Sequence, residues 1–268
     1  MEIQLWREIL DPYGQAVSEI TTKLNNFRLE CKNHNIYCPM ESIQGRVKEV
    51  SGIIDKMRRK GIPFERMEEE IEDIAGIRII CQFIEDIEAA VEVIEKRTDM
   101  EILHRKDYLT NQKKSGYRSY HLIIAYTVNT MKGPKRLQAE IQVRTMAMNF
   151  WATSEHFLQY KYKNQLPEQI SAQLERIAQA TTQLDEEMMK VRNEIMDAEN
   201  NNSIQCLLVK DILNTIENLY RLSNNEREAI KIQDEFYRIY QLNDLNALQH
   251  FHDQLDILSE DNQTQSIN

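Results

Sequence analysis

Leu5, Ile9, Val17, Ile20, Leu24 and Phe27 recur at mostly helical spacing, so residues 2 to about 33 read as a helix that Pro12 can bend early. A loop follows around Asn33–Pro39. Ser42–Lys60 reads as a second helical stretch, broken near Gly45 and ended by Gly61-Ile62-Pro63. The period then changes. Ala75–Phe83 is short, apolar and rich in isoleucine, the pattern of a buried strand. Ile84–Arg97 is an amphipathic helix, Glu101–Leu109 a strand, and Thr110–Gly116 a polar, basic loop. Tyr117–Val128 and Leu137–Thr145 are two further strands, joined through the turn signal Lys132-Gly133-Pro134-Lys135. Met146 to about Glu199 is helical again. Asn200–Ser203 reads as a linker, Ile204 to about Leu258 as more helix broken near Ser223-Asn224-Asn225, and the residues from Ser259 as a disordered tail. Helices, then strands, then helices predict an α+β fold with long helices at both ends, divided into residues 1–199, 200–258 and 259–268.

Composition narrows this picture. Only 7 glycines and 5 prolines in 268 residues suit a helix-rich chain. The net charge of −10 argues against broad nucleic-acid binding and leaves a local basic site open. Cys31, Cys38, Cys81 and Cys206 form no CxxC pair and read as free thiols of a reducing cytoplasm. No apolar run has the length of a membrane span, and the first ten residues carry no signal core.

Candidate chemistry gathers around the strands. Along Leu137–Arg144, Leu137, Ala139, Ile141 and Val143 take one face and Gln138, Glu140, Gln142 and Arg144 the other. From this strand alone the polar face is either a solvated edge or the floor of a cleft. Asp73 stands at the mouth of a strand that holds Arg78. The two either pair with each other or border a cleft where Asp73 and Glu140 converge, as a magnesium nucleotide requires. Arg46, Lys48, Lys56, Arg58, Arg59 and Lys60 crowd one short segment, either a solvated basic face or a phosphate site. Arg105-Lys106-Asp107-Tyr108 and Lys113–His121 add cations, a glycine and aromatic rings on which a purine could stack. There is no GxxxxGK[ST], GxGxxG or HExxH motif, so phosphate binding would depend on side-chain cations.

These motifs, in this order, resemble the alarmone synthetase domains of the RelA/SpoT family. The resemblance rests on Gly45-Arg46-Val47-Lys48, Asp73–Arg78, Lys106-Asp107-Tyr108, Gly116–His121 and Glu140–Thr145, followed by Ala147–Ala152 with Glu155-His156. It covers about residues 2 to 199, and no His-Asp hydrolase motif precedes it, so the chain is similar to the small synthetases of the RelQ/RelP type. That likeness implies a nucleotidyltransferase-like mixed β-sheet flanked by helices, a homotetramer, ATP and GDP or GTP as substrates, and Mg²⁺. It implies that Arg46 and Arg78 sandwich adenine and that Lys48, Lys56 and Arg59 hold ATP phosphates. Asp73 and Glu140 would bind the metal, with Glu140 also the general base. Tyr117 would stack on guanine, Arg105 and Lys113 would hold the acceptor's 5′ phosphates, and His121, Gln142 and Glu155 would support the site. A silent nucleotide- or RNA-binding protein is disfavoured by Asp73, Glu140 and Tyr117, and another nucleotidyl transfer by the Gly116–His121 loop. In relatives activated by their product, lysines on the first helix and an aromatic residue and a threonine before Gly45 bind the effector. Here the corresponding residues are Thr21, Asn25, Ser42 and Gln44, which implies weak product activation.

Overall fold

The computed structural model describes residues 2–113, 115–161, 167–222 and 226–265. The chain divides into two compact units, Met1–Met189 and Lys190–Asn268. In the first, helix α1 (Glu2–Asn33) precedes strand β1 (Ser42–Val47), helix α2 (Val50–Lys60), a short helical turn α3 (Met67–Glu70) and strand β2 (Ala75–Cys81). Helix α4 (Glu85–Glu95), strands β3 (Glu101–Asp107), β4 (Tyr120–Thr130) and β5 (Gly133–Thr145) and helix α5 (Met146–Lys161) follow. Helix α6 (Glu168–Leu222) begins in this unit, and helices α7 (Glu226–Gln241) and α8 (Leu245–Gln265) lie in the second.

The five strands form one mixed sheet in the order β1-β2-β5-β4-β3, in which only β2 and β5 run parallel. One face is packed by α1 and α4. Ile20 and Leu24 of α1 and Ile87 and Ile94 of α4 bury against Ile77, Ile79, Ile141, Val143, Leu122 and Ile124. Each such side chain, fully buried, contributes about 1.5–3 kcal/mol of transfer free energy, so this face anchors the sheet. Pro12 lies inside α1 without ending it.

Three sequence expectations change. Ser42–Val47 is an edge strand rather than a helix, paired from Ser42↔Ile80 to Val47↔Ala75. Its short alternation is masked by Gly45, where α1 comes so close that a Cβ would lie 2.5 Å from Val17 Cγ1 and 2.6 Å from Thr21 Oγ1. Asn200–Ser203 lies within α6. Weak helix formers cost only tenths of a kcal/mol each, less than the burial of Leu208, Ile212 and Ile216 further along the same helix. The expected break at Ser223–Asn225 falls outside the described residues; a further division, at 242–244 where Asn243 has φ 53°, separates α7 from α8. The last helix also runs to Gln265, past the point where order was expected to end. The second unit has its own core of Leu208, Ile212, Ile216, Phe236, Leu248 and Phe251.

Candidate active site

The sheet face away from α1 and α4 carries the polar residues. Gly76 is level with Glu140 and Arg78 with Gln142 across β2 and β5. Arg46 pairs with Gly76 and Gln44 with Arg78 across β1, and His121 pairs with Gln142 across β4. Alternation therefore puts Arg46, Arg78, Glu140, Gln142, Arg144 and His121 on one surface. α5 closes it with Ala152, Thr153, Glu155 and His156. The result is a cavity of about 330 Å³, lined also by Asp73 and Tyr117.

Asp73 does not pair with Arg78. Its Oδ2 accepts from Lys48 Nζ at 2.9 Å and its Oδ1 from Lys56 Nζ at 2.7 Å. Burial pushes the Asp73 carboxyl up, but the bonds from Lys56 and Lys48 outweigh it and hold its pKa below the ordinary carboxylate value. Arg78 keeps a buried Nε without a hydrogen-bond partner. Burial, then the neighbouring charge of Arg46, lowers its pKa. Arg46 and Arg78 both line the cavity, and a guanidinium is a planar group that can stack on an aromatic face.

Glu140, 9 % exposed, anchors a chain of hydrogen bonds. His121 Nδ1 lies 3.0 Å from Glu140 Oε1, and Tyr117 Oη lies 2.9 Å from His121 Nε2. Gln142 Nε2 donates to Glu140 Oε2 at 2.7 Å, and Arg144 donates to Gln142 Oε1. A carboxylate accepts only, so the network assigns the His121 proton to Nδ1, leaving Nε2 to accept from Tyr117. Burial alone would raise the Glu140 pKa, but His121 and Gln142 bring it below the ordinary value, so the group stays ionised at neutral pH. Burial also raises the Tyr117 hydroxyl, which keeps its proton.

Tyr117 sits in an aromatic corner with Tyr108 and His121. Lys113 Nζ lies 4.9 Å from the centre of its ring and 4.3 Å from that of Tyr108. Burial is the main reason that the Lys113 pKa falls, with Lys106 and Lys56 adding to the decrease. His156 is likewise lowered by burial and then by Arg46, Lys48 and Arg78.

Lys48 and Lys56 reach the cavity through Asp73, and His121 and Lys113 through Glu140 and Tyr117. Arg59 is exposed on the last turn of α2 and does not line the cavity. Arg105 turns the other way. A bulge between Ile102 and His104 shifts the register so that Arg105 pairs with Leu122 on the core-facing side, where it meets Glu95 Oε1 of α4 at 2.7 Å. Lys106 takes the position beside His121 and binds Glu72, which also lies 2.7 Å from His104 Nε2. Sequence reasoning named Lys106 only as part of a motif, because a bulge leaves no reliable mark on a single sequence. Arg144 was also passed over. It is 3 % exposed, lines the cavity, keeps a partnerless buried Nε, and has its pKa pulled down to about 10 by burial. Its signal was its place on the same strand face as Glu140 and Gln142.

Among the described residues no three His, Cys, Asp or Glu converge as a metal cage. Asp73 and Glu140 nevertheless face one cavity. Two carboxylates suit Mg²⁺ when nucleotide phosphates and water complete its shell.

Residues 45–165 match the family described as a region found in RelA/SpoT proteins. The chain is 44 % identical over 199 residues to the GTP pyrophosphokinase YjbM of Bacillus subtilis strain 168, covering 74 % of this chain and 94 % of that relative. It is 40 % identical over 192 residues to the GTP pyrophosphokinase YwaC of the same organism, covering 71 % and 91 %. The structure of the small alarmone synthetase 1 from Bacillus subtilis bound to its product pppGpp matches with a TM-score of 0.70 and 44 % identity, over 72 % of this chain and 98 % of that one. A GTP pyrophosphokinase family protein from Streptococcus pneumoniae matches with 0.69 and 47 % identity, over 72 % and 95 %.

Proposed function

The chain belongs to the small alarmone synthetases of the RelA/SpoT family, and we propose that it makes (p)ppGpp by moving pyrophosphate from ATP to the 3′ hydroxyl of GDP or GTP, releasing AMP. The observation that carries the reading is Glu140, a buried ionised carboxylate sharing a cavity with Asp73 and flanked by Tyr117, Arg46 and Arg78.

Adenine fits between the guanidiniums of Arg46 and Arg78. Lys48 and Lys56 pass from Asp73 to the ATP phosphates, with Arg59 at the rim. The guanine of the acceptor stacks by Tyr117, and Lys113 with Lys106 neutralises its 5′ phosphates. Asp73 and Glu140 would hold Mg²⁺, which when bound supplies charge neutralisation for the phosphates. The acceptor's 3′ oxygen attacks the β-phosphorus, and the bond from that phosphorus to the oxygen shared with the α-phosphate breaks. AMP leaves with that oxygen, and Glu140 takes the hydroxyl proton. The bonds that keep Glu140 charged also weaken it as a base, but the attacking hydroxyl becomes more acidic as its bond to phosphorus forms. Positioning and electrostatics do most of the remaining work.

No helix of the described residues is long and apolar enough to cross a membrane. The ATP and GTP pools of the cytoplasm are the matching location. Exposed Ile177, Leu184 and Met188 on α6 support self-association, for which a homotetramer is the family precedent. Light scattering that returns a monomer mass at micromolar concentration refutes the tetramer. The activity is tested by incubating the protein with ATP, GTP and Mg²⁺. AMP and a guanosine pentaphosphate in equal amounts are expected, and ATP hydrolysis without a guanosine product refutes the reading.

A further inference from the structure

Behind the turn that carries Tyr117 stands a stretch of α6 that lines no part of the active-site cavity. Gly116 has φ 87°, and a Cβ there would lie 2.3 Å from the Cβ of Ala178, so turn and helix are in the closest approach that backbone allows. Trp151 of α5 donates from Nε1 to the carbonyl of Leu174 at 3.0 Å. Tyr117 packs against the small cluster that Trp151, Ala152 and Ala178 form.

Two turns along α6 from Ala178 is Asp185, 5 % exposed. Its Oδ2 accepts from Thr145 Oγ1 at 2.9 Å. That hydroxyl in turn accepts from the Met148 N–H at 3.1 Å, so Thr145 caps the N-terminus of α5. α5 is the helix that presents Ala152, Thr153, Glu155 and His156 to the cavity. The Arg118 guanidinium, next in sequence to Tyr117, keeps a buried Nη1 with no hydrogen-bond partner and acts on Asp185 as an opposite charge. Burial raises the Asp185 pKa, and Thr145 and Arg118 offset only part of that rise. A buried carboxylate away from the reacting atoms is a cost that core packing alone does not require.

We propose that Asp185 is a positioning residue of the synthetase. It fixes the cap of α5, whose Trp151 and Ala152 pack with Ala178 against Tyr117, so the wall against which the second nucleotide stacks is formed before that nucleotide arrives. The identity of that nucleotide as the guanosine acceptor rests on the function proposed above; the positioning role does not. Asp185 lies outside the residues 45–165 that match the family, and it does not line the cavity.

The test is a split of kinetic constants. Asp185→Ala is expected to raise the KM for the acceptor about ten-fold, a loss of roughly 1.4 kcal/mol, with the KM for ATP changed less than two-fold. Asp185→Asn keeps an oxygen for the Thr145 hydroxyl but not the charge, and a rise of about three-fold is expected. This second variant answers the question if the alanine variant does not fold. Combined with Tyr117→Ala, Asp185→Ala should add little, because both act through the same wall. Equal effects on both substrates, unchanged KM values in the folded variants, or full multiplication of the two single effects would each overturn the proposal. If Tyr117→Ala raises the KM for ATP instead, the acceptor reading fails. Asp185→Ala is then expected to follow Tyr117 to ATP, and the positioning role stands.

Discussion

Replacing Glu140 by glutamine separates chemistry from architecture at one atom. Glu140 accepts from two donors, His121 Nδ1 at 3.0 Å and Gln142 Nε2 at 2.7 Å. A glutamine has one oxygen for two donors. Gln142 cannot turn over to help, because its own oxygen already accepts from Arg144. The relay has one escape. The new amide oxygen takes the Gln142 bond, its NH₂ faces His121, and the imidazole moves its proton from Nδ1 to Nε2, where the Tyr117 oxygen can accept it. The network is then satisfied with its direction reversed, at a cost of roughly 1 kcal/mol, which lowers Tm by about 2–4 °C in a domain of this size. Catalysis has no such escape, because an amide takes no proton at neutral pH. General-base removal is worth about 10²–10⁴ in rate, so AMP release with saturating ATP, GTP and Mg²⁺ should fall at least about 100-fold, or roughly 2.7 kcal/mol in the barrier. The assay is the initial rate beside a thermal melt. Turnover within ten-fold of wild type, in a protein that melts normally, would refute Glu140 as base and as metal ligand together.

Asp73→Asn should abolish synthesis while leaving the circular dichroism spectrum unchanged; measurable turnover at high Mg²⁺ would instead make Asp73 a simple counter-ion for Lys48 and Lys56. Lys106→Ala should raise the acceptor KM about ten-fold and Arg105→Ala less than two-fold, in steady-state kinetics that vary the acceptor, because only Lys106 shares the face of His121. The lowered Lys113 pKa means that its charge is present below that pKa and lost as pH rises through it. The acceptor KM should therefore climb at a lower pH than an ordinary lysine would give, and Lys113→Arg should move that limb upward. Added pppGpp at micromolar concentration should leave the initial rate within two-fold, since Thr21, Asn25, Ser42 and Gln44 offer no ammonium and no ring.

The sequence was most legible where one residue type had one physical reason to be there. Strict alternation along Leu137–Arg144 implies a buried face and a polar face, and Glu140, Gln142 and Arg144 of the polar face line the cavity. The carboxylate at the mouth of an apolar strand admits either an Asp73–Arg78 pair or a cleft shared with Glu140, and Asp73 and Glu140 line one cavity. Legibility failed where backbone geometry intervened. Without the bulge at Ile102/His104, Arg105 and not Lys106 would stand beside His121, so a one-residue shift takes Arg105 off that face and puts Lys106 on it. Gly45 hid a six-residue strand by removing the side chain that would have shown its period. The clasp of Lys48 and Lys56 on Asp73, in place of Arg78, depends on distances between separate elements that no local pattern encodes.

That clasp would let the site load by ion exchange. Lys48, Lys56 and Asp73 reach the free protein already neutralised in large part by one another. On the function proposed here, a magnesium nucleotide would enter by trading partners, phosphate for carboxylate on the lysines, with Asp73 released to hold the metal. Few unpaired charges are stripped of water at that step, so the electrostatic cost of loading is spread over swaps of like for like. Occupancy by ATP would then depend less steeply on ionic strength than it would in a pocket lined by bare cations, and the empty pocket would have little attraction for stray anions.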